Sequence, residues 1–413
     1  MFESDTTVQN DLRGGCPPWA TGFTRPVRRK LDRSLQCDVL VVGAGITGAL
    51  MAQHLTTLGH KVTIIDRERA GFGSTAASTA MLQWEIDCPL SELTGLYGFD
   101  RAANIYRRSL QAVAGLKTLV DELHPGCTFR HRSSLYLAGG ETNASQLLAE
   151  HHLRERAGLP GTYLDYLTLK REFDFDREAA IISPGSADAD PLLLAHALIA
   201  DALRHGASMY DAEAIGYNNF GHGVVVALDG GHEIQASRVI LATGYVMPDF
   251  VRTELHRTAS SWAIATPPQT PDALWRDGVL IWEASNDYLY ARTTSDNRII
   301  VGGEDDEDIT EPSARDALMP AKAEAILGKL RALRPAANAT AEFVWSGAFG
   351  ETEDGLPLIG QVPRYPAMFA AYGYGGNGIT FSFLASRVIA KMIAGHREDW
   401  YDDLAIDRPS PTA

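Results

Sequence analysis

Short apolar runs bounded by turn residues alternate along the chain with longer stretches of helical periodicity. Asp38-Val-Leu-Val-Val42 is a run of strand type, Ile46 to Leu58 has helical spacing with Gly59 placed to cap it, and Lys61 to Asp66 is a second strand. Together they predict a β–α–β unit of about 30 residues, the size of a parallel crossover. The same pattern predicts helices over 100–124, 144–157, 191–205, 314–333 and 379–394, and strands over 134–138, 238–242 and 368–372. Residues 223–228 and 233–235 predict a hairpin around Asp229-Gly230-Gly231. Four further strands are expected at 262–265, 280–283, 288–292 and 298–301. The fold class is α/β, with parallel-type segments at the start, middle and end of the chain and antiparallel-type strands between them. The expected division is an irregular lead-in over 1–36, one discontinuous domain over 37–90, 180–250 and 340–413, and a second, α+β domain over 91–179 and 251–339.

Length supports two domains, or one domain with a large insertion, since 413 residues exceed what one core usually organises. Apolar residues make up 45% and charged residues 22%, as in ordinary globular proteins. The net charge of −15 argues against a nucleic-acid partner. The small basic run Arg25, Arg28, Arg29, Lys30 and Arg33 reads as a solvated linker. Cys16, Cys37, Cys88 and Cys127 form no CxxC pair, so neither a zinc site nor a disulfide framework is expected, and no metal. No apolar run reaches the length of a membrane span, and the first residues carry no signal-peptide pattern. The expected compartment is the cytoplasm.

The β–α–β unit changes this picture. Gly43-Ala-Gly45-Ile46-Thr47-Gly48 has the GxGxxG spacing. Gly43 permits the tight turn, Gly45 lets backbone N–H groups approach a pyrophosphate, and Gly48 lets helix and strand pack closely. The helix N-terminus favours the phosphate charge. Asp66, 18 residues past Gly48, is placed to accept ribose hydroxyls and would repel the extra phosphate of NADP. No second GxGxxG follows a strand, which points to one tightly held dinucleotide.

With these features the chain resembles the FAD-dependent oxidoreductases of the D-amino-acid oxidase superfamily, over about residues 36 to 400. Four further motifs carry the resemblance: Gly71-Phe-Gly-Ser-Thr-Ala-Ala-Ser-Thr-Ala80, Leu241-Ala-Thr-Gly-Tyr245, Asp354-Gly-Leu-Pro-Leu-Ile-Gly360 and Gly375-Gly-Asn-Gly-Ile-Thr380. It implies non-covalent FAD in a Rossmann-type, glutathione-reductase-like domain interleaved with a substrate domain on a mostly antiparallel sheet. Carried over residue by residue, it places the cofactor on Gly43, Gly45, Ile46, Thr47, Gly48, Asp66 and Arg67. The small-residue loop adds Gly73, Ser74, Thr75, Ser78, Thr79, Ala80 and Met81. Ala214, Ala242, Thr243 and Gly244 fall at the adenosine half. Gly376, Asn377, Gly378, Ile379 and Thr380 open a helix toward the flavin, where its N-terminus would stabilise the charge of the reduced ring.

The family oxidises C–N bonds by hydride transfer to flavin N5, and the imine hydrolyses. This chain departs from its relatives at the substrate. Phe349, Thr380 and Gln83 stand where relatives place cationic anchors for a carboxylate, and Gly347 stands near the position of a flavin-tethering Cys. An amine substrate is therefore expected, with electrons passing to oxygen, a quinone or a protein. Glu85, His256, Glu283, Arg292 and Glu351 are the candidates for catalytic or substrate contacts, with Trp84, Asp87 and Trp282 nearby. Arg292 offers an alternative, as a different carboxylate anchor for an amino acid. A non-catalytic FAD-binding subunit and an NADPH-dependent monooxygenase are the other readings.

Overall fold

The computed structural model describes residues 12–21, 29–124, 126–251 and 253–411. The β–α–β unit consists of strand Leu35–Val42, helix Ile46–Thr57 and strand Val62–Asp66, with Val39 beside Val62 in parallel register. Val39, Val41 and Ile64 are buried completely. A strand covered on both faces reads as an unbroken apolar run, which is why this part is legible in sequence.

These strands belong to an eight-stranded sheet. Its order is Leu358–Gln361, Met368–Tyr372, Glu233–Leu241, Leu35–Val42, Val62–Asp66, Ser208–Asp211, with the strands Ala214–Phe220 and Gly223–Leu228 added antiparallel. Along this order all pairings are parallel except the first, Leu358–Gln361 with Met368–Tyr372. The hairpin at Asp229 forms as expected, but its second strand runs on without a break through the apolar run at 238–241. Helices Ile46–Thr57, Pro191–Arg204 and Gly378–Ile393 pack together.

The second sheet has ten strands and is mostly antiparallel, the exception being Leu280–Ala284 beside Arg130–Ala138. Leu289–Thr293, Ile299–Asp306, His256–Ala265 and Phe343–Thr352 follow in order. Met81–Leu82, Ala179–Asp188 and Phe343–Thr352 lie in this sheet, although the sequence grouped their neighbourhoods with the first. Each of them carries the chain across between the sheets. The helical stretch at 314–333 is two helices, Pro312–Ala317 and Met319–Leu333, and Pro320 sits in the first turn of the second, where a missing N–H costs nothing.

The lead-in is not irregular throughout. Arg13–Gly15 pairs antiparallel with the strand Phe343–Thr352. The fully buried Arg13 donates from Nε to the Phe72 carbonyl at 3.0 Å, and Trp19 donates to Ala76 O at 2.7 Å. Trp345, edge-on to Trp19 at 5.7 Å, donates to Ala77 O at 2.8 Å. Two tryptophans and one arginine thus fix the small-residue loop from outside. Of the basic run, Arg25 and Arg28 lie outside the described residues, while Arg29 and Lys30 are exposed beside Tyr210 and Asp211. Among the described residues no helix is long and apolar enough to cross a membrane.

Candidate active site

One cavity of about 1460 Å³ runs between the sheets, along the carboxyl ends of the parallel strands at Val42, Asp66 and Ala242. That is where an open α/β sheet offers a crevice. At the first turn Gly43 has φ 106°, and a Cβ there would meet Ala242 O at 2.3 Å. A Cβ on Gly48 would sit 1.9 Å from Gly43 O, so this glycine serves helix–strand contact and does not line the cavity. The Asp66 carboxylate accepts from Ala44 N at 2.6 Å and Glu68 N at 2.7 Å, shaping the turn as well as facing the cavity. Burial raises its pKa to about 6, against the opposing pull of these two donors. Thr75 Oγ1 accepts from Ile46 N at 2.8 Å and so ties the small-residue loop to the helix start.

At the other end, the helix Gly378–Ile393 opens on the cavity. Asn377 donates to Gln83 O at 3.2 Å and Glu85 O at 2.8 Å, and Ser382 meets Thr47 hydroxyl to hydroxyl at 2.7 Å. Asp87 accepts from Gly376 N at 2.5 Å. Asp87, Asp305, Glu307 and Glu351 all line this end, with Tyr288 and Tyr290. The Tyr288 hydroxyl donates to Asp305. Burial, then the neighbouring Asp305, pushes Asp87 up to about 6, against the pull of the Gly376 N–H. Glu351 rises to about 7 through burial and then Glu307, Asp305 and Asp87. Burial also raises Asp305.

Several polar atoms on the cavity wall are buried without a hydrogen-bond partner among the described residues: Ser74 Oγ, Gln83 Nε2, Trp282 Nε1 and Asn377 Oδ1. Buried polar groups are rarely left so, and each of these belongs to a residue that lines the cavity. Ser74 lies in the glycine-rich half, where a diphosphate is expected, and Gln83 and Asn377 lie beside the last helix.

A family model described as FAD dependent oxidoreductase matches residues 38–392. The chain belongs to this family. Its cofactor is FAD, and the glycine cradle and unpartnered hydroxyl above fit that group. Gamma-glutamylputrescine oxidoreductase of Escherichia coli (strain K12) is 26% identical over 379 residues, covering 89% of this chain and 86% of that one. Glycine oxidase of Geobacillus kaustophilus (strain HTA426) is 25% identical over 387 residues, covering 89% and 95%. Among solved structures, glycine oxidase from Geobacillus kaustophilus superposes with a TM-score of 0.76 at 22% identity over 91% of this chain and 99% of that one. L-proline dehydrogenase from P. horikoshii reaches 0.72 at 18% identity, over 92% and 97%.

Within this FAD-dependent oxidoreductase, all the residues expected at the cofactor line the cavity except Gly48, Ala80 and Thr380. Ala80 is buried at a left-handed turn, φ 53°. Thr380 turns its hydroxyl to Gln83 O at 2.8 Å. The catalytic candidates divide. Glu351 faces the cavity. Glu283 does too, at the outer end, held by Arg177 at 2.6 Å. Glu85 is buried behind the wall, accepting from Ser134 with Arg154 4.0 Å away. Trp84 is likewise behind it, donating to Pro184 O. His256 packs edge-on against Tyr372 at 5.2 Å, off the cavity.

Arg292 does not serve as a carboxylate anchor. Its guanidinium donates to Thr79 O and to Ala189 O at 3.2 Å, with Asp188 3.9 Å away, and it does not line the cavity. It holds the small-residue loop from below. Asp305, Glu307, Tyr288 and Tyr290 were missed in sequence. The acidic run Glu304 to Asp308 was their only signal, and such runs are ordinarily solvated.

Proposed function

We propose that the chain oxidises a C–N bond of a cationic amine that carries no α-carboxylate. The observation that supports this is the charge of the cavity. Beyond the FAD cradle its wall bears Asp87, Asp305, Glu307 and Glu351. Among the described lining residues the one cation is Arg67, at the adenosine end and 3.6 Å from Glu213. Like charges repel by about 1 kcal/mol at 4 Å even in water, and by more in a partly buried site. A substrate carboxylate is therefore disfavoured here and an ammonium favoured. Of the two relatives, the one named for gamma-glutamylputrescine has an alkylammonium at its putrescine end, and that end suits the acid wall better than glycine, whose carboxylate adjoins its amine.

When bound, FAD accepts the hydride that leaves the carbon bearing nitrogen. Before that, the ammonium must give up a proton so that the nitrogen lone pair can form the C=N bond. Glu351, at about 7, is matched to take that proton near neutral pH. Asp87 and Asp305 hold the cation, and the Tyr288 hydroxyl orients Asp305. Tyr290 and Trp282 add aromatic faces, which attract an ammonium. The imine product then takes up water and releases a carbonyl compound and the amine or ammonia.

The test is to titrate the holoenzyme with butyltrimethylammonium and with butyrate and follow the flavin absorption spectrum. The ammonium is expected to perturb it saturably and butyrate not. Saturable binding of butyrate alone would overturn the proposal.

A further inference from the structure

Between Ala70 and Thr79 the small-residue loop offers its backbone carbonyls to side chains from elsewhere in the fold. Ala70 O accepts from His196 Nε2 at 2.6 Å, Phe72 O from Arg13 at 3.0 Å, Ala76 O from Trp19 at 2.7 Å, Ala77 O from Trp345 at 2.8 Å, and Thr79 O from Arg292. The donors come from the lead-in, from the helix Pro191–Arg204 and from two strands of the second sheet. Arg13, Trp19, His196 and Arg292 stand outside the cavity, whereas Gly73, Ser74, Thr75 and Thr79 of the loop line it. The carbonyls are thus drawn to the side away from the cavity. A trans peptide points its C=O and N–H in opposite directions, so the outward Phe72 carbonyl turns the Gly73 N–H inward. A buried carbonyl that loses its donor is costly until it finds another. Turning back to the cavity would set its negative end against the anionic diphosphate of FAD.

The lead-in is fitted closely to this task. A Cβ on Gly14 would fall 2.1 Å from Asp316 Oδ1, and Gly15, at φ 69°, has Val344 O 2.4 Å from where its Cβ would be. Leu12 reaches the cavity wall itself, and a Cβ on Gly73 would come within 2.8 Å of its Cδ1. Its carbonyl accepts from Ala348 N at 2.9 Å. The Arg292 guanidinium lies over the Trp19 ring at 5.5 Å, so two of the donors also hold each other.

We infer that residues 12–20 form a strap belonging to the FAD site, with Arg13 and Trp19 as positioning residues. They hold the loop carbonyls away from the cofactor and so slow its release, although neither side chain lines the cavity. The inference rests on FAD lying along this loop and is independent of the amine reading, since no substrate enters it.

The test dilutes the holoenzyme and follows FAD release by the rise in flavin fluorescence, with far-ultraviolet circular dichroism to establish that each variant is folded. Trp19→Phe keeps a ring and loses the donor to Ala76 O. Release is expected to be about tenfold faster, the scale of one buried carbonyl left unpaired. Trp275→Phe is the control, because the Trp275 indole is also buried and donates to a carbonyl, Val279 O at 2.8 Å, away from the cavity. It is expected to leave the release rate unchanged. At the other end of the strap, Arg13→Lys keeps the charge and a donor and is expected to hold FAD longer than Arg13→Met, which keeps neither. An unchanged release rate in Trp19→Phe, an equal acceleration in Trp275→Phe, or equal release from the two Arg13 variants would overturn the inference.

Discussion

Asp87 accepts the backbone N–H of Gly376 at 2.5 Å, and this bond joins the acid end of the cavity to the turn that opens the last helix. The approach is close enough that a Cβ on Gly375 would come within 2.3 Å of the carboxylate. On the function proposed above, one side chain would serve both as an acceptor for the flavin-side turn and as a charge for the substrate. Asp87→Asn keeps the shape and an acceptor while removing the charge. It is expected to weaken amine binding about tenfold, a scale set by one charge-assisted contact, without loss of FAD content. Flavin-to-protein absorbance ratios and amine titrations check this together. A large loss of FAD with unchanged amine affinity would contradict it.

If Glu351 takes the substrate proton, as proposed above, a pH dependence follows. Its carboxyl sits at about 7, so below that it is protonated and cannot accept from the substrate. The apparent second-order rate of flavin reduction is expected to rise with pH up to about 7 and then level off. It should fall again as the amine loses its charge, near about 10 for an alkylamine. Glu351→Gln should abolish the limb near 7 and leave the rise from Asp87 near 6. Stopped-flow reduction across the pH range reads both, and an unaltered limb in the variant would show that another group takes the proton.

FAD is expected to be held without a covalent bond. Gly347 lines the cavity facing Ala77, where a Cβ would lie 3.0 Å from the alanine methyl. No cysteine is among the described lining residues, and Cys88 and Cys127 are buried elsewhere. Acid denaturation should release all the flavin into the supernatant. A fluorescent flavin band travelling with the polypeptide on a denaturing gel would contradict this.

The acid of the Asp354-Gly-Leu-Pro turn is structural. Asp354 accepts from Leu356 N at 3.0 Å, Tyr97 OH at 2.6 Å and the Arg408 guanidinium at 2.8 Å, and both charged side chains are almost wholly buried. Asp354→Ala leaves a buried arginine unpaired and is expected to cost about 3–5 kcal/mol. Urea denaturation of the holoenzyme measures it, and a loss below about 1 kcal/mol would contradict the assignment.

The FAD half of the molecule was legible because its signals are local. A strand, a glycine turn, a helix and a terminal acid lie within Val39 to Asp66, and each glycine has one steric reason to be there. The substrate end was less legible because its residues meet only through strand pairing. Tyr136 is far in sequence from the hairpin that carries Trp282 and Tyr290, and the three become one surface through register. Arg292 looked like an anchor because a buried-strand arginine invites one, and only the fold shows its guanidinium spent on the Thr79 carbonyl. The lead-in was read as irregular because Arg13 and Trp19 show no periodicity, though both are locked against the loop they support.

The most direct test of the account is anaerobic bleaching of the flavin by matched pairs, each an alkylamine and the α-amino acid with the same side chain. The account predicts that the amine of each pair reduces the flavin faster, with glycine and D-alanine slow or inert. Fastest bleaching by glycine or D-alanine would contradict it.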